Sequence, residues 1–406
     1  MTAISESFSV LTDASSTAAR GFKAGALAAG IKPSGRPDLG IWASDVPCVT
    51  ASTFTRNTFA AAPVLLSRER VQATHRAQAV VFNAGNANAC NGDRGLEDAR
   101  EMTRLAAELL GTSPDLVLAA STGVIGQPLP MDRVRQHLPR LQLRADGGHE
   151  AANAIMTTDR VPKEAAVSLE VAGREVRIGA MTKGVGMIYP NMATMLAFVG
   201  TDAALSPEFA HAALQRTVNN SFNMIAVDGD QSTNDSCFLL ANGLSGIQPL
   251  AAGPDAQRFE AALQAVCIDL ARKMAADGEG ADKLITVDVT GAASDEDARM
   301  AARAVAASSL VKAAVHGRDP NWGRIFCAVG YSGARVDALK ASLWIGDVQI
   351  ARDGVSVGAS VEAASAQMAG TEVQIRVDLG LGQAAARAWG CDLTEAYVVE
   401  NSAYTT

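Results

Sequence analysis

Long apolar runs, paired cysteines and clustered histidines are all missing from this 406-residue chain. No stretch reaches the roughly 18 consecutive apolar residues that a membrane-crossing helix needs, so no membrane span is expected. The opening segment, Met1 to Ser16, is polar and has no basic stretch followed by an apolar core, so no signal peptide is expected. The six cysteines, Cys48, Cys90, Cys237, Cys267, Cys327 and Cys391, form no CxxC pair. In a chain this long that pattern means free thiols in a reducing compartment, and the cytoplasm is the expected location. The five histidines, His75, His137, His149, His211 and His316, stand far apart, with no HExxH and no His/Cys cluster, so no metal site is expected. No phosphate-binding P-loop and no dinucleotide fingerprint occurs. The net charge of −8, with acids spread along the chain, speaks against nucleic-acid and anionic-membrane partners.

What is abundant is small and apolar. Hydrophobic residues make up 48%, glycine numbers 36, and aromatics are only 5%. That composition suits helices packed closely on sheets, and the length suggests two or three domains. Strand-like runs fall at 79–82, 116–118, 167–171, 196–199, 284–289 and 373–377. Residues 167–171 and 174–178 read as a hairpin turning at Ala172-Gly173. One helix is expected over 96–110. Another begins at Ser206-Pro207-Glu208, with an N-cap serine, proline in the first turn and an acid at the positive end of the dipole. A third is expected over 255–276, where Phe259, Leu263, Val266, Leu270 and Met274 form one buried face that stops at Asp277-Gly278. Mixed strands and helices give an α/β or α+β layered class.

Several stretches look chemical. In Lys183-Gly184-Val185-Gly186-Met187-Ile188-Tyr189-Pro190-Asn191-Met192-Ala193-Thr194-Met195-Leu196, a glycine- and proline-containing loop delivers a threonine to the start of a strand. A hydroxyl so placed can attack the preceding Ala193 carbonyl, and hydrolysis of the ester then frees the Thr194 amine. An α-amine titrates near ~8 and can serve as base for its own hydroxyl, so nucleophile and base come without histidine. Taken alone, the same letters also describe a turn feeding a strand. Ala120-Ser121-Thr122-Gly123-Val124-Ile125-Gly126, directly after a strand, can offer N–H and hydroxyl donors to an oxyanion, or can be an ordinary turn. Asn83, Asn86, Asn88 and Asn91 crowd one loop, where amides bind carboxylates or simply make turns. Glu279 stands between two glycines at a helix end. Arg318 and Arg324, in the 316–324 stretch, can pair with carboxylates. The tail 400–406 reads as frayed.

Together these stretches resemble one family, the ornithine acetyltransferases (glutamate N-acetyltransferases) of the cyclic arginine pathway. The resemblance covers nearly the whole chain, from Gly21-Phe22 through Ile155-Met156-Thr157-Thr158-Asp159 and the Lys183 to Leu196 segment to Asn401 and Thr406. It implies self-cleavage between Ala193 and Thr194, giving an α chain (1–193) and a β chain (194–406) that stay associated as an α2β2 heterotetramer. Residues 194–285 would complete the main body and 286–406 would form a smaller C-terminal α/β part. The implied fold is a layered α/β/β/α body of the N-terminal-nucleophile type, like that of self-processing aminopeptidases. Thr194 would be the nucleophile, and Thr122 and Gly123 the oxyanion hole. Substrate would contact Thr157 or Thr158, with Thr157 favoured, and also Lys183, Thr194, Glu279, Asn401 and Thr406.

The implied reaction moves an acetyl group from N2-acetylornithine to glutamate through acetyl-Thr194, with no organic cofactor or metal. Acetyl-CoA is left open as a second donor, because the family holds both monofunctional and bifunctional members. Two departures from the family pattern stand out: Arg160 where threonine is frequent, and Ala84 where serine is frequent. Three other readings compete. One is a self-processing aminopeptidase or amidase that hands its acyl group to water. The others are a non-catalytic binding protein of the same fold and a specialised acyltransferase using a different amine.

Overall fold

The computed structural model describes residues 8–189 and 195–403. One strand organises the main body. Leu39–Phe54 pairs through its first half with Phe22–Leu27 and Arg76–Asn86, and through its second half with Ser236–Ala241. Its register slips between Ala43 and Cys48, so the strand bends there and serves two leaves of one sheet. The first leaf continues from Arg76–Asn86 to the parallel Val117–Val124. The second runs from Ser236–Ala241 through Leu196–Thr201 to the hairpin Arg174–Lys183 and Lys163–Val171, with Ser9–Val10 at its edge.

Alternation decides what each face meets. Phe22, Trp42, Phe82, Phe198 and Phe238 point between the leaves and form an aromatic layer, with Phe22 and Trp42 stacked at 4.8 Å and Phe82 and Phe198 at 5.7 Å. Each such buried ring contributes roughly 1.5–3 kcal/mol. The layer is tight enough that a Cβ on Gly200 would sit 2.7 Å from the Trp42 ring. The opposite faces meet helices. Leu39, Ile41, Ala79 and Val81 share a core with Met102 and Ala106 of helix Gly92–Leu110. Ala197, Val199 and Leu239 share one with Phe209 of Pro207–Asn219 and Leu263 of Pro254–Ala276. The result is the α/β/β/α sandwich that the resemblance implied.

A second sheet adds Leu284–Ala292, Ser342–Ile345, Val348–Arg352, Val355–Ser356, Glu372–Asp378 and Ala384–Cys391, and it also recruits Ile225–Ala226. Helix Pro254–Ala276 packs against both sheets, and helix Asp295–Ala307 covers the second.

Local signals mostly act as read. Ser206 Oγ accepts from Phe209 N at 3.2 Å, and the hairpin turns at Ala172 and Gly173, both with positive φ. Three details differ. The strand expected over 116–118 starts at Val117, because Leu116 closes a short 3-10 turn. The 120–126 stretch does not follow that strand; residues 120–124 are the strand's own end. Helix Pro254–Ala276 ends on Asp277 with φ −95°, and the left-handed residue is Gly280 (φ +68°), not Gly278. Gly280 is where a Cβ would lie 2.3 Å from Tyr397 N, so close approach of the C-terminal helix fixes the glycine.

Candidate active site

The strand end Ser121-Thr122-Gly123 is held by amides. Ser121 Oγ donates to Asn83 Oδ1 at 2.6 Å, and Asn83 Nδ2 donates to Asn86 O at 2.8 Å. Asn86 Nδ2 reaches Gln127 O, Asn88 Nδ2 reaches Gly95 O, and Asn91 Nδ2 reaches Gln127 O. The asparagine loop is therefore a brace, and its amides are spent on backbone carbonyls. Gly123 has φ +129°, and a Cβ there would fall 2.3 Å from the Gly85 carbonyl carbon, so only glycine fits. The irregular register at Gly85 and Asn86 opens the ladder beside it. From the other side Asn234 Nδ2 donates to Ala87 O (2.6 Å) and Ser121 O (2.9 Å).

Lys183 ends its strand with the ammonium inside the protein. Its Nζ donates to Thr157 Oγ1 at 2.7 Å and Thr122 Oγ1 at 3.3 Å, and lies 3.9 Å from Asp159 Oδ2. Burial pulls the Lys183 pKa below its usual value, against the opposing charge of Asp159. Burial alone would raise the Asp159 carboxyl. The Lys183 and Lys163 ammonium groups and the Gly184 N–H outweigh it and hold Asp159 down at about 2. Lys163 bridges Asp159 Oδ1 (2.8 Å) and Asp277 Oδ2 (2.7 Å), and Arg160 Nε reaches Asp277 Oδ1 at 2.9 Å. A chain of alternating charges thus runs from Lys183 to the helix end that carries Glu279.

Glu279 is aimed by its backbone, whose N–H donates to Val185 O at 3.0 Å. Its carboxylate accepts from Thr158 Oγ1 at 2.7 Å and Asn401 Nδ2 at 3.0 Å. Gly186 makes room for it, since a Cβ there would lie 2.4 Å from the Glu279 carboxyl. Asn401 belongs to helix Glu395–Ala403, so the first part of the tail expected to fray, 400–403, is helical and makes this contact; the rest lies outside the described residues.

Thr122, Gly123, Thr157, Lys183, Glu279 and Asn401 all line a single cleft, together with Thr158. Thr157 serves Lys183 and Thr158 serves Glu279, so the two threonines divide the work. Ala193, Thr194 and Thr406 lie outside the described residues. Met195 and Leu196, which follow Thr194 in sequence, line the cleft. Asp228 braces the upstream arm, accepting from Met187 N and from Ile188 N (2.8 Å); burial raises its pKa.

The sequence reading passed over Ser232, Thr233, Asn234 and Asp235, which form another wall of the cleft. The polar run 228–236 between two apolar stretches was the available signal. The 316–324 stretch lies away from the cleft. Arg324 Nη1 donates to Leu310 O at 2.9 Å, and among the described residues neither Arg318 nor Arg324 pairs with a carboxylate. His316 Nδ1 instead meets Asp392 Oδ2 at 3.2 Å, and Asp392 Oδ1 accepts from Asp282 N and Lys283 N.

A cleft with a buried cation, a carboxylate and a glycine-kinked strand end can seat a small zwitterion and polarise a carbonyl. Comparison with known proteins gives the family. The chain is 53% identical over 395 residues to the arginine biosynthesis bifunctional protein ArgJ of Symbiobacterium thermophilum, covering 96% of this chain and 98% of that protein. It is 49% identical over 387 residues to the protein of that name from Thermus thermophilus, covering 95% and 98%. A crystal structure of arginine biosynthesis bifunctional protein argJ from Bacillus halodurans matches with TM-score 0.51 and 46% identity, over 52% of this chain and all of that one. The ArgJ family pattern matches residues 23–406. By its sequence over nearly its full length, the chain belongs to the ArgJ family.

Proposed function

We propose that this chain is a self-processing acetyltransferase of arginine biosynthesis, cut between Ala193 and Thr194, that carries acetyl from N2-acetyl-L-ornithine to L-glutamate on Thr194. The observation that supports it most is that Lys183 and Glu279 line one cleft that also holds Thr122, Gly123 and Met195. Lys183 suits the α-carboxylate shared by both amino acids. Glu279 suits the δ-ammonium of ornithine.

The Thr194 hydroxyl attacks the acetyl carbonyl carbon, and its proton passes to the free Thr194 amine. The oxyanion rests on Thr122 and Gly123, where one donor can be worth ~3 kcal/mol. The acceptor role of Thr122 Oγ1 toward Lys183 leaves the Thr122 hydroxyl proton free to point at that oxyanion. The amide C–N bond then breaks and the ornithine nitrogen takes the proton. Glutamate enters, its neutral amine attacks the acetyl carbon, and the ester bond to Thr194 Oγ breaks. The proton lost from the amine returns to Oγ through the Thr194 amine, and acetylglutamate leaves. This is ping-pong covalent catalysis, and it exchanges one amide for another without a cofactor.

The word bifunctional in the relatives' names supports a second activity, and acetylation of glutamate by acetyl-CoA is our candidate for it. Association of the two fragments as α2β2 in the cytoplasm completes the reading. Among the described residues, no helix is long and apolar enough to cross a membrane.

Intact mass under denaturing conditions tests the first step. Two fragments summing to the chain plus one water, the second beginning at Thr194, are expected, and Thr194→Ala should give one uncut, inactive chain. Cleavage at that bond in Thr194→Ala would sink the proposal. Incubating the processed protein with N2-acetylornithine, with and without glutamate, separates transfer from hydrolysis. Acetate release independent of glutamate would assign an amidase instead.

A further inference from the structure

Away from the cleft, a cavity of about 730 Å³ opens between helix Asp295–Ala307 and helix Pro207–Asn219. Among the described residues it shares no lining residue with the cleft. Arg299 and Arg303, one helical turn apart, face it together with Arg56 and Tyr189. The Arg303 guanidinium lies over the Tyr189 ring at 4.4 Å, and its Nε and Nη2 are buried with no hydrogen-bond partner among the described residues. Glu296 lines the same cavity, yet among the described residues no ion pair joins it to any of the three arginines. A buried cation without a counter-charge is costly; Lys163, by contrast, is paired by Asp159 and Asp277. Three arginines against one glutamate leave the cavity net positive. Stacking on an aromatic ring fixes the guanidinium plane, the arrangement that reads planar or branched oxyanions.

We propose that this cavity is a binding site for a small anion bearing carboxylate or phosphate groups, held by Arg303 with Arg299 and Arg56. The anion meets the part of Arg303 that lines the cavity, beside Arg299 and Arg56, and the Tyr189 ring holds the guanidinium in place. Because the site is separate from the cleft, its occupant does not compete with the amino-acid substrates. This inference concerns binding alone and stands whether or not the chain transfers acetyl groups.

Calorimetric titration with inorganic phosphate and, separately, with succinate tests it on the full purified protein, Arg303→Gln and Arg299→Gln. One saturable site is expected in the unaltered protein. Affinity should fall at least tenfold in Arg303→Gln, fall less in Arg299→Gln, and weaken as salt rises. The preferred probe tells phosphate from carboxylate chemistry. Absence of saturable binding of either probe overturns the proposal, as does equal affinity in a natively folded Arg303→Gln. Should Arg303→Gln fail to fold, Arg299→Gln decides: unchanged affinity there overturns the site, and a loss supports it.

Discussion

The two ends of the cleft are built differently. At one end Lys183 is buried and tied to Thr157, Thr122 and Asp159, with Lys163, Asp277 and Arg160 behind it. At the other, Glu279 is held by one threonine hydroxyl and one amide from an exposed helix. The cationic end is part of the core, and its geometry cannot change without disturbing the fold. The anionic end hangs on two contacts and can be retuned cheaply. Such a division suits a site that must recognise a constant carboxylate and a variable side chain.

Four changes would break or sharpen this contrast. The largest effect is expected from Lys163→Met, which takes from Asp159 and Asp277 the buried cation they share and leaves them Lys183 and Arg160. Losing one partner of a buried pair costs ~3–5 kcal/mol, readable as a drop in denaturant midpoint, and an unchanged midpoint would show that the network is idle. Acid should act on the same end. The Asp159 carboxyl is held at about 2 in the fold, against ~3.9 in an unfolded chain. Its contribution is therefore complete above pH ~4 and fades as pH falls toward 2. Acid unfolding of Asp159→Asn should be shallower across that window.

At the anionic end, Gly186→Ala should leave stability nearly unchanged, since only the mobile tip of Glu279 has to move. It should raise KM for N2-acetylornithine about tenfold, the size of one lost charged hydrogen bond, while KM for glutamate changes less. Smallest of all, Asn401→Ala should raise the same KM about two- to threefold, as expected for a solvent-exposed contact. Equal effects of Gly186→Ala on both substrates would remove the assignment of Glu279 to the ornithine side chain.

Much of this was legible in the sequence because local rules govern it. The N-cap at Ser206, the buried stripe over 255–276 and the hairpin at Ala172-Gly173 are short-range patterns that the fold keeps. The strand Leu39–Phe54 was not legible. It bends between Ala43 and Cys48, Pro47 interrupts it, and it changes the leaf it serves, so no single alternation runs its length. Six of the site residues proposed from resemblance, Thr122, Gly123, Thr157, Lys183, Glu279 and Asn401, converge on one cleft. What supports them was invisible, because Lys163 meets Asp277 across more than a hundred residues of chain. The asparagine loop shows the opposite limit. Its composition left ligand binding and turn-making open, and the amides serve the backbone of their own neighbourhood.

The hairpin strand Arg174–Lys183 pairs through Ile178 to Lys183 with Leu196–Thr201, and in sequence these two strands flank the Ala193–Thr194 bond. Scission there would leave that ladder intact, so the products would part only on denaturation. The consequence is a change of molecularity. A chain that first folds as one molecule would have to refold as two, and its recovery after unfolding would depend on concentration. Persistence of the processed protein would then rest on how slowly it opens rather than on how readily it re-forms.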